Sequence, residues 1–239
     1  MHALILAGGE GSRLAADGVP RPKPLTEVGG EAQLLRLVRR CGGLGAESVT
    51  VMVRAEFARE ARTALAEGDV RVSRIEPCTT PSSLHTLVEG LRLVPPGPVF
   101  CTMVDTVMPA SDWVHTWRAT REVLAAGSPV VLAVTGHVDD EAPLWVRRDA
   151  DGYAIALGAS PVTPPCVTGG VYGFGAAARD WAEAALEGGR SRMRAFLAAC
   201  VERAGRVPTI AVPRIIDLDR RQDLEAAEAW MATWAEGER

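Results

Sequence analysis

The chain has 239 residues, 47% hydrophobic and 23% charged, with a formal net charge of -4. That length suits one large domain with its own core, and the composition is that of a globular protein. The mild negative charge argues against nucleic-acid and membrane-surface partners, and no apolar run approaches the ~20 residues of a membrane span.

Residues 2–7 form a buried strand that ends in a glycine turn. The first helix spans 31–41, with Leu34, Leu35, Val38 and Cys41 on one face and Gly42-Gly43 ending it. A strand at 48–53, a helix at 56–67 and a strand at 70–75 follow. Residues 82–93 are helical and stop at Pro95-Pro96-Gly97-Pro98. A strand at 99–104 ends on Asp105; a helix at 112–126 carries Trp113 and Trp117; a strand spans 129–135. This alternation predicts a doubly wound, mostly parallel, Rossmann-like α/β sheet.

The rhythm then changes. Strands at 144–148 and 153–157 flank Asp151-Gly152, the pattern of a tight hairpin. A strand at 167–174, helices at 177–186 and 190–204, and a strand at 209–216 come next. Asp219 with Gln222 three residues on predicts a capping box for the last helix. Residues 1–239 therefore read as a single domain, with about 137–175 forming a small hairpin lid. The start of the chain lacks a basic segment and a long apolar one, so no signal peptide is expected. Cys41, Cys78, Cys101, Cys166 and Cys200 are odd in number and scattered, without a C-x-x-C pair. Reduced core thiols in the cytoplasm are the expectation.

Of 26 basic residues only Lys23 is a lysine, which leaves 25 arginines (26 − 1). It sits in Pro22-Lys23-Pro24, downstream of Gly8-Gly9-Glu10-Gly11-Ser12-Arg13. A lysine is a compact point charge where an arginine is a wide fork, so this position suits a site the fork would not fit. The alternative is drift that left one lysine. Glycines after a strand let backbone N–H groups approach a phosphate, and Arg13 and Arg21 add charge-assisted donors. The stretch is not a dinucleotide fingerprint, because Leu14 follows where the third glycine belongs. Nor is it a Walker A loop, since prolines flank Lys23.

Asp105 ends one strand and Asp217 another. Ligands of open α/β sheets lie beyond the carboxyl ends of strands, and paired carboxylates there suit Mg²⁺ together with phosphate oxygens. Each Asp alone is equally a turn or cap residue.

The segments LILAGGEGSRL, RPKPL, the strand-end Asp105, GGVYGF and IIDLDRRQDLEAAE occur in an order that resembles the sugar-phosphate nucleotidylyltransferases of the nucleotidyltransferase superfamily. DDEAPLWV and SRMRAF are similar to a compact bacterial subgroup, the NDP-sugar pyrophosphorylase-like proteins. Residues 80–87 are similar to choline-phosphate-type cytidylyltransferases. The resemblance implies an enzyme that joins an NTP to a phosphorylated acceptor, releasing pyrophosphate with Mg²⁺. The acceptor it favours is a sugar 1-phosphate, with a small alcohol phosphate as the alternative.

It also implies roles. Leu6, Ala7, Gly8 and Gly9 would contact the nucleoside, with Thr80, Ser82 and Ser83 near the base. Gly11, Ser12 and Arg13 would hold the β- and γ-phosphates, with Arg21 on the leaving pyrophosphate. Lys23 would bind the α-phosphate, Asp105 and Asp217 the Mg²⁺, and Gly170 would approach the acceptor. Two features depart from the family. Val104 stands where glycine is common, and the acceptor-phosphate lysine is missing. Arg192 and Arg194 are its candidate substitutes, unless they only decorate a solvated helix face. The missing lysine also keeps open a non-catalytic nucleotide- or sugar-binding relative. The expected partners are small molecules only, and the protein a monomer or homodimer. Trp230 and Trp234 either mark an interface or pack on the chain's own core.

Overall fold

The computed structural model describes residues 1–234. In chain order the elements are β1 (His2–Ala7), α1 (Ser12–Ala16), β2 (Glu27–Val28), β3 (Glu31–Ala32), α2 (Gln33–Gly43), β4 (Val49–Arg54), α3 (Ala58–Glu67), β5 (Arg74–Cys78) and α4 (Ser83–Leu93). Then come β6 (Val99–Met103), β7 (Thr106–Val107), α5 (Ala110–Ala125), β8 (Val130–Thr135), β9 (Trp145–Arg148), β10 (Ala154–Gly158) and β11 (Val167–Phe174). The chain closes with α6 (Ala176–Glu187), α7 (Met193–Ala204), β12 (Thr209–Ala211), β13 (Ile216–Asp217) and α8 (Arg221–Met231).

The main sheet runs β10-β9-β11-β6-β1-β4-β5, with β8 pairing both β11 and β12. The β6-β1-β4-β5 half is parallel, whereas β11 runs antiparallel to β6, β8 and β9. The α/β expectation is met, and the hairpin of β9 and β10 is an antiparallel extension of the sheet itself. Helices cover both faces. Leu84, Leu87, Phe196 and Leu197 of α4 and α7 pack on one face together with Ala178 and Ala182 of α6. Leu34, Leu37 and Leu65 of α2 and α3 pack on the other, where Trp113 and Trp117 of α5 tilt over Phe100 at ring distances of 6.2 and 5.1 Å. All five cysteines are free and buried, and burial pushes the Cys41 thiol up to about 12.

Several boundaries moved. Helix α2 starts at Gln33, because Glu31 and Ala32 pair back onto Glu27 and Val28. The expected strand at 70–75 lies at Arg74–Cys78: bonding to β4 begins only with the Ser73 N–H on the Val49 carbonyl. Pro77 is tolerated there because β5 is an edge strand. The expected strand at 209–216 is split between β12 on β8 and β13 on β7, with Pro213 in the break. The capping box built on Asp219 and Gln222 is also overturned. The cap position is Arg220, and Asp223 Oδ2 accepts the backbone N–H groups of Asp219 and Arg220 at 3.0 and 2.7 Å. Trp230 lies edge-on to Trp234 at 5.0 Å, with the Arg214 guanidinium over its ring at 4.7 Å. Both tryptophans pack on their own chain. No helix among the described residues is long and apolar enough to cross a membrane.

Candidate active site

The site forms where β1 and β6 end side by side. Leu6 pairs with Met103, and the Val104 N–H donates to the Leu6 carbonyl at 3.0 Å. The glycine turn leaving β1 therefore lies next to Asp105. Gly11 adopts φ 62° and passes the chain into α1; a Cβ on it would come within 3.0 Å of Lys23 Cβ, so only glycine fits both demands. Lys23 is held at the start of a short 3₁₀ turn, between Pro22 in an extended conformation and Pro24.

Asp217 reaches the same place from far along the chain. β13 pairs antiparallel with β7, setting Asp217 opposite Thr106, and the Leu218 N–H donates to the Asp105 carbonyl at 3.1 Å. Asp105 Oδ1 and Asp217 Oδ1 are both buried without a hydrogen-bond partner. Burial, then the neighbouring Asp105 charge, pushes the Asp217 carboxyl well above the usual carboxylate range; Lys23 opposes them incompletely. Lys23 Nζ lies 2.5 Å from Asp105 Oδ2 and 2.5 Å from Asp219 Oδ1. Burial works against its charge, but Asp105 and Asp219 outweigh it and hold the ammonium above its ordinary value. Arg13 binds the other oxygen of Asp219 at 3.1 Å.

Two clefts adjoin along Ser82, Ser83 and Met103, two residues before Asp105. One, of about 190 Å³, is bounded by Leu6, Gly8, Gly9, Arg54, Thr80 and Ser82. The other, of about 430 Å³, holds Asp105, Asp217, Gly170, Tyr172, Arg192 and Arg194. Gly170 takes φ 71° where β11 shifts register, and a Cβ there would meet Thr106 Oγ1 at 2.5 Å and Asp217 Oδ1 at 3.3 Å. Ser82 Oγ donates to the Ser191 carbonyl, and the Met193 N–H donates to Ser83 Oγ at 3.2 Å. These bonds dock the start of α7 against the 80–83 loop and carry both arginines to the second cleft.

Residues 3–162, more than half of the chain, match the MobA-like NTP transferase domain. The chain belongs to this family. A curated relative, the CMP-5'-(3-aminopropyl)phosphonate synthase of Streptomyces rubellomurinus (strain ATCC 31215), is 31% identical over 152 residues, 64% of this chain but only 23% of that protein. The inositol-1-phosphate CTP transferase of T. maritima superposes with a TM-score of 0.81 over 100% of this chain and 97% of its own, at 16% identity. A Bacillus anthracis structure described as a glucose-1-phosphate thymidylyltransferase gives 0.79 over 100% and 98%, also at 16% identity. At that identity the two structures speak for the fold.

The part of this MobA-like chain outside the matched range is the part that completes the centre: Gly170, Arg192, Arg194 and Asp217 all follow residue 162. Of the residues singled out in the sequence, Lys23, Asp105 and Asp217 converge. Leu6, Gly8, Gly9, Thr80, Ser82 and Ser83 line the smaller cleft. Ala7 is buried in the core behind it. Ser12 and Arg13 are exposed at the start of α1. Arg21 lies apart, paired with Glu27 at 2.7 Å on the surface. Asp219 was missed as a site residue, although it lies only two residues beyond Asp217; a tight turn, in which the Asp219 N–H donates to the Asp217 carbonyl at 3.1 Å, keeps the two together. Arg54 was missed too; it ends β4 and pairs with Glu10 at 3.6 Å across the smaller cleft.

Proposed function

We propose that this protein transfers a nucleoside monophosphate from an NTP to a phosphorylated acceptor, in a single Mg²⁺-assisted step. The observation that carries the reading is the Lys23-Asp105-Asp217 centre, whose two carboxylates line the larger of two adjoining clefts. The smaller cleft takes the nucleoside, with Leu6, Gly8, Gly9 and the 80–83 loop around it. The larger takes the acceptor. The curated relative is named for joining CMP to a phosphonate, which supports nucleotidyl transfer to a phosphoryl acceptor. The sugar 1-phosphate and the small alcohol phosphate expected from the sequence both fit the same chemistry.

The two partnerless carboxylate oxygens fit a divalent cation, because a hard cation held by one or two carboxylates completes its shell with substrate phosphate oxygens. Asp105 and Asp217 would hold it, and when bound it would offset charge on the α-phosphoryl oxygens. An acceptor phosphate is largely dianionic near neutral pH, its second pKa being about 6. No protein base is needed. Its oxygen forms the new bond to the α-phosphorus, and the bond to the bridging oxygen breaks as pyrophosphate leaves with the electron pair. Lys23 steadies the α-phosphoryl charge, and Arg13, released from Asp219, turns to the leaving phosphates. The test is pyrophosphate release from five NTPs against a panel of phosphoryl acceptors with Mg²⁺. Release requiring one NTP, one acceptor and the metal is expected. An NTP that stabilises the protein against heat without any release would instead favour a binding protein.

A further inference from the structure

The acceptor cleft has a lining that separates acceptor classes. Its walls beyond the carboxylate pair are Met103, Leu144, Met193 and Leu197. Its hydroxyl groups are Ser82, Ser83, Thr168 and Tyr172, and each is already engaged within the protein. Ser82 Oγ bonds the Ser191 carbonyl and lies 2.8 Å from His85 Nδ1, Ser83 Oγ accepts the Met193 N–H, and Thr168 is hydrogen-bonded to Tyr172. A hexose would set part of its ring against the apolar walls, where ring hydroxyls would lose water without gaining a partner, and polar groups desolvated without partners are costly.

The cleft carries charge of both signs instead. Arg192 and Arg194 supply two cations. Asp140 supplies a carboxylate beyond the Asp105-Asp217 pair. Two bonds through one residue hold this arrangement: Asp140 Oδ1 accepts the Ala142 N–H at 2.9 Å, and Arg194 donates to the Ala142 carbonyl at 3.0 Å. Asp140 Oδ2 takes no hydrogen bond among the described residues. Anion-binding groups, a short apolar stretch and one spare carboxylate complement a molecule with a phosphoryl group, an alkyl body and an ammonium.

We infer that the acceptor is a small acyclic aminoalkyl phosphate or phosphonate, with its ammonium on Asp140, its alkyl chain on the Met103-Leu144-Met193-Leu197 wall and its phosphoryl oxygens toward Arg192 and Arg194. This rests on the nucleotidyl-transfer reading. Asp140 then sets specificity without taking part in bond making.

The test uses the full chain, Mg²⁺ and each of CTP, UTP, GTP, ATP and dTTP with four acceptors: 2-aminoethyl phosphate, 2-aminoethylphosphonate, ethylphosphonate and glucose 1-phosphate. Pyrophosphate release is the readout. The amines should exceed ethylphosphonate in kcat/KM by about tenfold or more, the range of a charge-assisted hydrogen bond. Turnover of either amine supports the class, and the faster of the two names the phosphorus linkage. Asp140→Asn should bring the amine-to-ethyl ratio near one by raising the KM of the amines, and Asp140→Glu should restore part of it. Glucose 1-phosphate outpacing the amines, or an unchanged ratio in Asp140→Asn, would overturn the acceptor class while nucleotidyl transfer stands. No release with any of the four would overturn the acceptor class, and nucleotidyl transfer falls with it only if the wider acceptor panel is silent as well.

Discussion

Lys23 Nζ sits 2.5 Å from Asp105 Oδ2, although the two residues lie on separate connections of the fold. The contact joins the glycine-loop side of the site to the end of β6. Asp219 takes a second position on the same ammonium and also holds Arg13. The cations assigned to the triphosphate are thus parked on a carboxylate of the chain, and nucleotide phosphates must displace it.

Lys23→Ala should lower turnover by about 10²- to 10³-fold, the cost of removing one preorganised charge-stabilising donor. Lys23→Arg should lose most activity as well, since a planar fork does not fit the compact space between two carboxylates. Steady-state pyrophosphate release checks both, with circular dichroism to show an unchanged fold. Near-normal turnover in either variant would remove Lys23 from the chemistry.

Asp217 makes the metal-free protein sensitive to pH. Its folded pKa lies well above the unfolded value of about 3.9, so the folded state holds the proton more tightly. The stability it contributes is present below about pH 4 and is lost as pH rises through the folded value. Asp217→Asn should therefore be more stable than the wild type at pH 8 without metal, and its stability should vary less between pH 5 and 8. Mg²⁺ should stabilise the wild type and leave the variant unmoved. Denaturation curves at the two pH values, with and without Mg²⁺, decide the matter.

Gly170→Ala forces a side chain into the left-handed region and onto Thr106 and Asp217. The expected cost is about 1–2 kcal/mol of stability, with activity falling further because Asp217 must shift. A chemical-denaturation midpoint paired with kcat/KM measures both. A neutral variant would show that β11 bends there without Gly.

Arg192→Ala and Arg194→Ala should each raise the KM for the acceptor several-fold with little change in the KM for the NTP, because both arginines line only the larger of the two clefts. Equal effects on both substrates, or none, would return them to the status of surface charges.

Much of the site is legible in the sequence. The strand into Gly8-Gly9, the lone Lys23 and the strand-end Asp105 are local patterns, and local patterns survive in the sequence because period, turn chemistry and residue type act over a few neighbours. The alternation of strands and helices was read for the same reason, and the two-faced α/β sheet followed.

Pairing between distant segments was not legible. Asp219 reads as a helix cap along the chain, yet Lys23 and Arg13 claim its side chain, and Asp223 takes over the capping. Likewise an apolar run at 209–216 reads as one strand, although Pro213 lets its halves join different sheets and brings Asp217 to Asp105. The sequence by itself determined the kinds of element and the chemical groups available. The tertiary structure decided which carboxylates meet, because that depends on strand register and on bonds between distant segments, such as the Leu218 N–H on the Asp105 carbonyl.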